Sequence, residues 1–223
     1  MQTPTPLLSI LVCCLATGLT VACSERNPVE PRPAGAELGF VMLAPGDNAI
    51  DLISVDVSGP GIDSALVFNF QVANGVATGV ARVPSGTSRR VVARAFDRQG
   101  VNTHRSDTTV TLIEGSNPTL ALLLHPLVGN QPLNVTFAAT PGPTTLLVVV
   151  IEVDGPGIDS TLVFNWQLNA GVANGTLRIP AGSDRRITAV ALDRTGSPTD
   201  HAEARLTVVE GDNPSRSLVL SAP

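Results

Sequence analysis

The chain has 223 residues, which is enough for one large domain or two small ones. Apolar residues make up 43% of it and charged residues 15%, which excludes a disordered chain, and a net charge of −5 without an arginine cluster argues against nucleic acid as a partner. Aromatic residues are only 3%, whereas 20 glycines and 18 prolines favour short strands separated by turns over long helices.

The chain begins with an apolar segment, residues 7–22, that contains no charged residue. It is too short and too abruptly ended for a spanning helix. The Ala22-Cys23 junction resembles the lipobox of bacterial lipoproteins, which implies that residues 1–22 are a signal peptide and that Cys23 is lipidated. The alternative is an ordinary secretory signal, with Cys23 left as a free thiol, because no Lys or Arg precedes the segment and Thr20 stands where Leu is usual.

The next segment, residues 23–37, is expected to be a tether. Three prolines and several charges leave it little to bury. Ser24 is not the Asp that resembles an inner-membrane retention signal, so the resemblance implies an exported protein whose lipid anchors it to the cell envelope at the outer membrane. All three cysteines lie within the first 23 residues, which excludes a disulfide in the remainder.

The remainder of the chain is a tandem duplication of one module. At an offset of 96, residues 55–124 align without a gap on residues 151–220, and 34 of the 70 positions are identical. A period of this length is a whole domain and not a solenoid repeat. We therefore expect repeat 1 at residues 38–126, a linker at 127–132 and repeat 2 at 133–223.

Seven short strands are predicted in each repeat, because β-rich runs alternate with turn signals about every ten residues. In repeat 1 they lie near residues 38–43, 50–57, 66–72, 76–83, 90–96, 108–112 and 120–124, and repeat 2 has the same set 96 positions later. The predicted fold is all-β: two tandem antiparallel β-sandwich domains, immunoglobulin-like or transthyretin-like.

Alternation predicts the faces of the strands. Phe68 and Trp166 fall on the inward face with their apolar neighbours. In the strand near residues 90–96, Val91, Ala93 and Ala95 point inward, and the residues between them, Val92 included, point outward. Four turns are shared by the two repeats, namely GPG from Gly59 and Gly155, PxG from Pro84 and Pro180, DRxG from Asp97 and Asp193, and EGxNP from Glu114 and Glu210.

The segments VPSGTSRRVVARAFDRQG, from Val83, and IPAGSDRRITAVALDRTG, from Ile179, resemble the carboxypeptidase regulatory-like and transthyretin-like repeats of bacterial surface lipoproteins. The resemblance rests on turn and core patterns. It implies a fold and carries over no catalytic residue.

Candidate chemistry is sparse. His104, His125 and His201 lack the spacing of a metal site, and His104 and His201 are expected on exposed loops. Ser64 and Ser160, in the shared GPGIDS motif, have no base in view, so we expect no catalytic residue, no cofactor and no bound metal. Three carboxylates of repeat 1 recur in repeat 2 and are interpreted as turn caps and solvated charges: Asp56, Asp63 and Asp97, matched by Glu152, Asp159 and Asp193.

The sequence thus predicts a non-enzymatic, lipid-anchored cell-envelope protein whose repeats act as spacer, adhesion or protein-interaction elements. Its partners would be the membrane, through the lipid, and an envelope protein or glycan. The alternative is a glycan-binding or Ca²⁺-binding module of a surface-polymer system, which would need an aromatic or acidic cluster exposed at the same end of both repeats.

Overall fold

The computed structural model describes residues 35–45, 49–138 and 146–222, and the predicted signal peptide and Cys23 lie outside them. These residues form strands, turns and loops and contain no helix. Within this part of the chain there is accordingly no helical segment able to cross a membrane.

The described residues of repeat 1 form all seven predicted strands and two further strands of two residues each. The strands are β1 (Gly35–Leu43), β2 (Ile50–Ser58), β3 (Leu66–Gln71), β4 (Val76–Pro84), β5 (Gly86–Asp97), β6 (Asn102–Leu112), β7 (Gly115–Ser116), β8 (Leu120–Leu123) and β9 (His125–Pro126). The strands of repeat 2 are β10 (Val128–Phe137), β11 (Leu146–Asp154), β12 (Leu162–Gln167), β13 (Ala173–Pro180), β14 (Gly182–Asp193), β15 (Pro198–Val208), β16 (Gly211–Asp212) and β17 (Arg216–Leu220).

Each repeat consists of two sheets that enclose a core. In repeat 1, one sheet has the order β3-β2-β5-β6-β9; in the other, β1 pairs with β4 on one side and, in parallel, with β7 and β8 on the other. Repeat 2 has the same arrangement, with β12-β11-β14-β15 facing β13, β10, β16 and β17. An immunoglobulin constant domain places its first, second, fourth and fifth strands in one sheet, which is not the order found here.

The register explains two departures from the expected boundaries. Phe40 pairs with Gly79 in repeat 1, whereas Leu133 pairs with Gly175 in repeat 2, so the first strands are 93 residues apart and not 96. The three-residue difference falls between β10 and β11. As a result, most of the stretch expected as a linker, residues 127–132, lies in β10, and the last residues of the expected tether, 35–37, lie in β1.

Alternation predicted the inward face correctly, with one exception. Val92 was expected to point to solvent and is instead buried. It lies on the outer face between Asp56 and Asp107 of the neighbouring strands, whose carboxylates pair with Arg94 and Arg90. The aliphatic stems of Arg90 and Arg94 shield Val92, which lies between them on β5.

The aromatic residues of β3 and β12 pack against the two cores, as predicted, and are half-buried. Trp166 lies over Gly175 of the opposite sheet, where a Cβ atom would come within 2.8 Å of the indole Cζ2. Phe70 lies over Gly79 in the same way. Glycine at these two positions gives the ring the space to reach across the sandwich.

Candidate functional site

The histidines do not form a site, and one of them contradicts the sequence prediction. His104, expected on an exposed loop, is 5% exposed on β6. Its position is covered because the chain leaving β8 crosses over and pairs as β9 with His104 and Arg105. His104 Nδ1 lies 3.0 Å from Thr103 Oγ1. His201 is exposed, as expected, but belongs to strand β15.

The recurring carboxylates also remain apart. Asp56 pairs with Arg94 on the outer face of a sheet, and Asp63 is exposed in the loop after the GPG turn. No three metal-ligating side chains come together within residues 35–45, 49–138 and 146–222. Asp97 differs from the other recurring carboxylates because it is buried: it is 6% exposed and lies where the two repeats meet.

The two carboxylate oxygens of Asp97 accept hydrogen bonds from different parts of the chain. Oδ1 accepts hydrogen bonds from the backbone N–H groups of Gln99 (3.0 Å) and Val101 (2.9 Å), which caps the turn as predicted. Oδ2 accepts from repeat 2, namely from the backbone N–H of Ser183 at 2.9 Å and from its hydroxyl at 2.7 Å. One carboxylate therefore joins a turn of repeat 1 to a strand of repeat 2.

Further contacts surround this pair. Gln99 Oε1 lies 2.8 Å from the Ser183 hydroxyl, which has one proton to share between Gln99 and Asp97, and Gln99 Nε2 lies 3.4 Å from Asp184 Oδ2. The backbone N–H of Ala181 donates to the carbonyl of Leu127 at 2.9 Å. We call this set of contacts between repeat 1 and repeat 2 the junction.

The hydrogen bonds change the acidity of Asp97. Burial by itself would raise the pKa of its carboxyl group, but the bonds from Ser183, Val101 and Gln99 favour the charged form and together hold the pKa below its ordinary value. Asp97 is therefore a carboxylate at neutral pH, and the junction has its full set of acceptors.

The loop that presents Ser183 is held by a buried arginine. Arg185 is 2% exposed, and its guanidinium donates to the carbonyls of Pro180 (3.0 Å, from Nε), Ala181 and Pro156. Gly182, at φ 150°, lies against this guanidinium, and a Cβ atom there would come within 2.3 Å of Nη2. The arginine thus ties the PxG turn to the GPG turn.

Repeat 1 contains an equivalent buried arginine. Arg89, 4% exposed, donates to the carbonyls of Pro84 (3.1 Å, from Nε), Ser85 and Pro60. Sequence reasoning missed both arginines because each is followed by a second arginine that faces solvent. The available signal was alternation: extended by one residue, it places Arg89 on the inward face with Val91.

The junction also borders an open groove of about 480 Å³. Repeat 1 contributes Arg98 and Gln99 to its lining, and repeat 2 contributes Ile158, Asp159 and Asp184. A positive charge of repeat 1 and two negative charges of repeat 2 therefore line the same groove, and such complementary charges favour the observed docking.

Comparison with known proteins places the chain in no family. No protein-family model matches the sequence, and no curated protein matches it. Among solved structures, it is similar to a leucine-rich repeat protein of Bacteroides thetaiotaomicron (13% identity, TM-score 0.37), covering 85% of this chain and 26% of that one. It is also similar to the TIE protein of Bacillus anthracis (12%, TM-score 0.42), covering 84% of this chain and 34% of that one.

A third similar structure is a proposed adhesin of Bacteroides ovatus, at 11% identity and a TM-score of 0.31, covering 92% of this chain and 99% of that one. The chain thus spans about a quarter and a third of the first two proteins and nearly the whole of the third. At TM-scores below 0.5, these similarities define neither the function of this chain nor its partners.

Proposed function

We propose that the protein is a non-enzymatic, lipid-anchored component of the bacterial cell envelope, in which the two repeats form a rigid spacer that presents an adhesion or protein-interaction surface. In this proposal Cys23 carries the lipid, and the anchor lies in the outer membrane. The observation that carries the spacer role is the junction, because it fixes one repeat against the other.

Domains joined by a free linker move relative to each other by default. Here β9 ends at Pro126 and β10 begins at Val128, so a single residue separates the last strand of repeat 1 from the first strand of repeat 2. The buried Asp97–Ser183 contact then adds two hydrogen bonds to a charged acceptor, which are stronger than bonds between neutral groups. The one-residue connection and the buried hydrogen bonds together restrict movement between the repeats, as a spacer requires.

The non-enzymatic assignment rests on what a nucleophile requires, which is a base within hydrogen-bond reach. Ser64 and Ser160 are exposed, and their hydroxyls form no hydrogen bond with another residue that the structure describes. The glycan-binding alternative would use aromatic platforms open to solvent. Trp166 and Phe70 instead lie over glycines of the opposite sheet, which favours the spacer proposal.

The anchor is tested by replacing Cys23 with Ala and following incorporation of labelled palmitate together with membrane fractionation. Cys14→Ala is the matched control, because Cys14 lies in the same apolar segment. We expect Cys23→Ala to lose the label and to leave the membrane fraction, and Cys14→Ala to keep both. Equal labelling and partitioning of parent and Cys23→Ala would contradict lipidation at this residue.

A further inference from the structure

The junction has two different halves, and duplication gives each repeat a copy of both. Repeat 1 supplies the acceptor half, centred on Asp97 and Arg98, and repeat 2 supplies the donor half, centred on Ser183. At the offset of 96, the donor half of repeat 1 is centred on Thr87, and the acceptor half of repeat 2 is centred on Asp193 and Arg194.

No residue that the structure describes covers these two outer halves. Ser183 is buried by the junction, whereas its counterpart Thr87 is exposed. Asp97 is buried, whereas its counterpart Asp193 is half-exposed, and Arg194 is exposed. The difference follows from docking, because the two repeats share their fold and their local sequence.

The outer acceptor half already has the conformation that it has at the junction. Asp193 Oδ1 accepts from the backbone N–H groups of Thr195 (2.8 Å) and Ser197 (2.9 Å), as Asp97 Oδ1 does from Gln99 and Val101. The other oxygen of Asp97 binds Ser183. No described residue donates in this way to Asp193 Oδ2.

The outer donor half is equally preformed. Arg89 holds the loop before Thr87 by the same three carbonyl bonds that Arg185 makes next to Ser183. Ser88, at φ 55°, matches Asp184, at φ 52°. Preformed surfaces reduce the entropy that binding must overcome.

Chemical complementarity is retained as well. Thr87 offers a backbone N–H and a hydroxyl where Ser183 does, and Asp193 offers the carboxylate of Asp97. Arg98 of repeat 1 and Asp159 of repeat 2 both line the junction groove, and their counterparts are Arg194 and Asp63. The outer halves thus repeat the charge pattern of the junction.

We propose that copies of this protein associate head to tail, the Asp193 face of one copy docking on the Thr87 face of the next as repeat 1 docks on repeat 2. The interface is heterologous, so it generates chains of molecules and not only closed pairs. This step rests on the proposed function: a lipid anchor would hold the copies on one surface, which raises the effective concentration of the partners.

The test is cross-linking of the full chain in the cells that express it. Ser88 and Thr195 are the counterparts of Asp184 and Gln99, whose side chains lie 3.4 Å apart at the junction. A Ser88→Cys, Thr195→Cys double variant treated with a short bis-maleimide should give a ladder of oligomers. Each single variant gives no ladder and accounts for any link made through the native cysteines.

Thr87→Asp then places a carboxylate against Asp193 and should reduce the ladder about tenfold, because like charges across an interface are strongly unfavourable. Thr78→Asp, at an exposed position on β4, is the matched control and should leave the ladder unchanged. Resistance of each variant to trypsin, at the parent level, shows that it is folded. The absence of a ladder, or a ladder that Thr87→Asp does not reduce, would overturn the proposal.

Discussion

Replacing Arg89 with Met tests whether the buried guanidinium holds repeat 1 together. Met keeps much of the length and apolar volume of the side chain but offers no donor, so the carbonyls of Pro84, Ser85 and Pro60 lose their partner. Each hydrogen bond to a charged group contributes about 1.5 to 3 kcal/mol, and partial rehydration of turn carbonyls offsets some of the loss. We expect the free energy of unfolding to fall by about 3 to 5 kcal/mol, because three carbonyls are left without their donor.

Arg90→Met is the control, since it removes the same chemical group from the next residue. Arg90 is exposed and pairs with Asp107 on the sheet surface, so its loss should have little effect on stability. Urea unfolding at pH 7 of residues 24–223, which contain no cysteine, gives both values from the midpoints. Equal midpoint shifts for Arg89→Met and Arg90→Met would refute the structural role of the buried arginine.

Three further predictions concern the core, the junction and the independence of the repeats. Trp166→Ala should lower the free energy of unfolding by about 2 to 4 kcal/mol, because the indole is half-buried over Gly175; an unchanged thermal midpoint would instead reopen a ligand-platform role. The pKa of Asp97 is lowered by folding, so its contribution to stability is present above its ordinary pKa and is lost as the pH falls through the lowered value; Ser183→Ala should flatten the pH dependence of stability in that acidic range, and an unchanged profile would contradict the assignment. Residues 36–128 alone should unfold cooperatively in calorimetry, because repeat 1 has a core of its own; a broad transition would show that the repeats share one core.

Local chemistry made the strands and turns predictable from the sequence. Each of the predicted strands of repeat 1 is present, and the Asp97 turn is capped by its own carboxylate. Gly61 and Gly157 have φ of 77° and 75°, as expected of a glycine that follows proline in the GPG turn. These features depend on residues close together in the chain, and the duplication displayed each of them twice.

Features that depend on distant residues were not predictable in the same way. The burial of His104 depends on where the chain goes after β8, and alternation carries no information about that path. The junction depends on the orientation of two whole repeats. The local sequences around Asp97 and Asp193 do not indicate that only Asp97 accepts hydrogen bonds from a serine of the other repeat. The three-residue shift of β10 was hidden because the identical positions begin after that strand.

The central claim is that the junction holds the two repeats in one fixed arrangement, and an inter-repeat distance measurement tests it most directly. Spin labels on Thr78→Cys and Asn174→Cys, exposed positions on β4 and β13, should give one narrow distance distribution in residues 24–223. Ser183→Asp, which sets a carboxylate against Asp97, should broaden that distribution, whereas the equivalent Thr87→Asp change in repeat 1 should leave it narrow. A broad distribution in the parent protein, or a narrow one that Ser183→Asp does not change, would contradict the rigid junction.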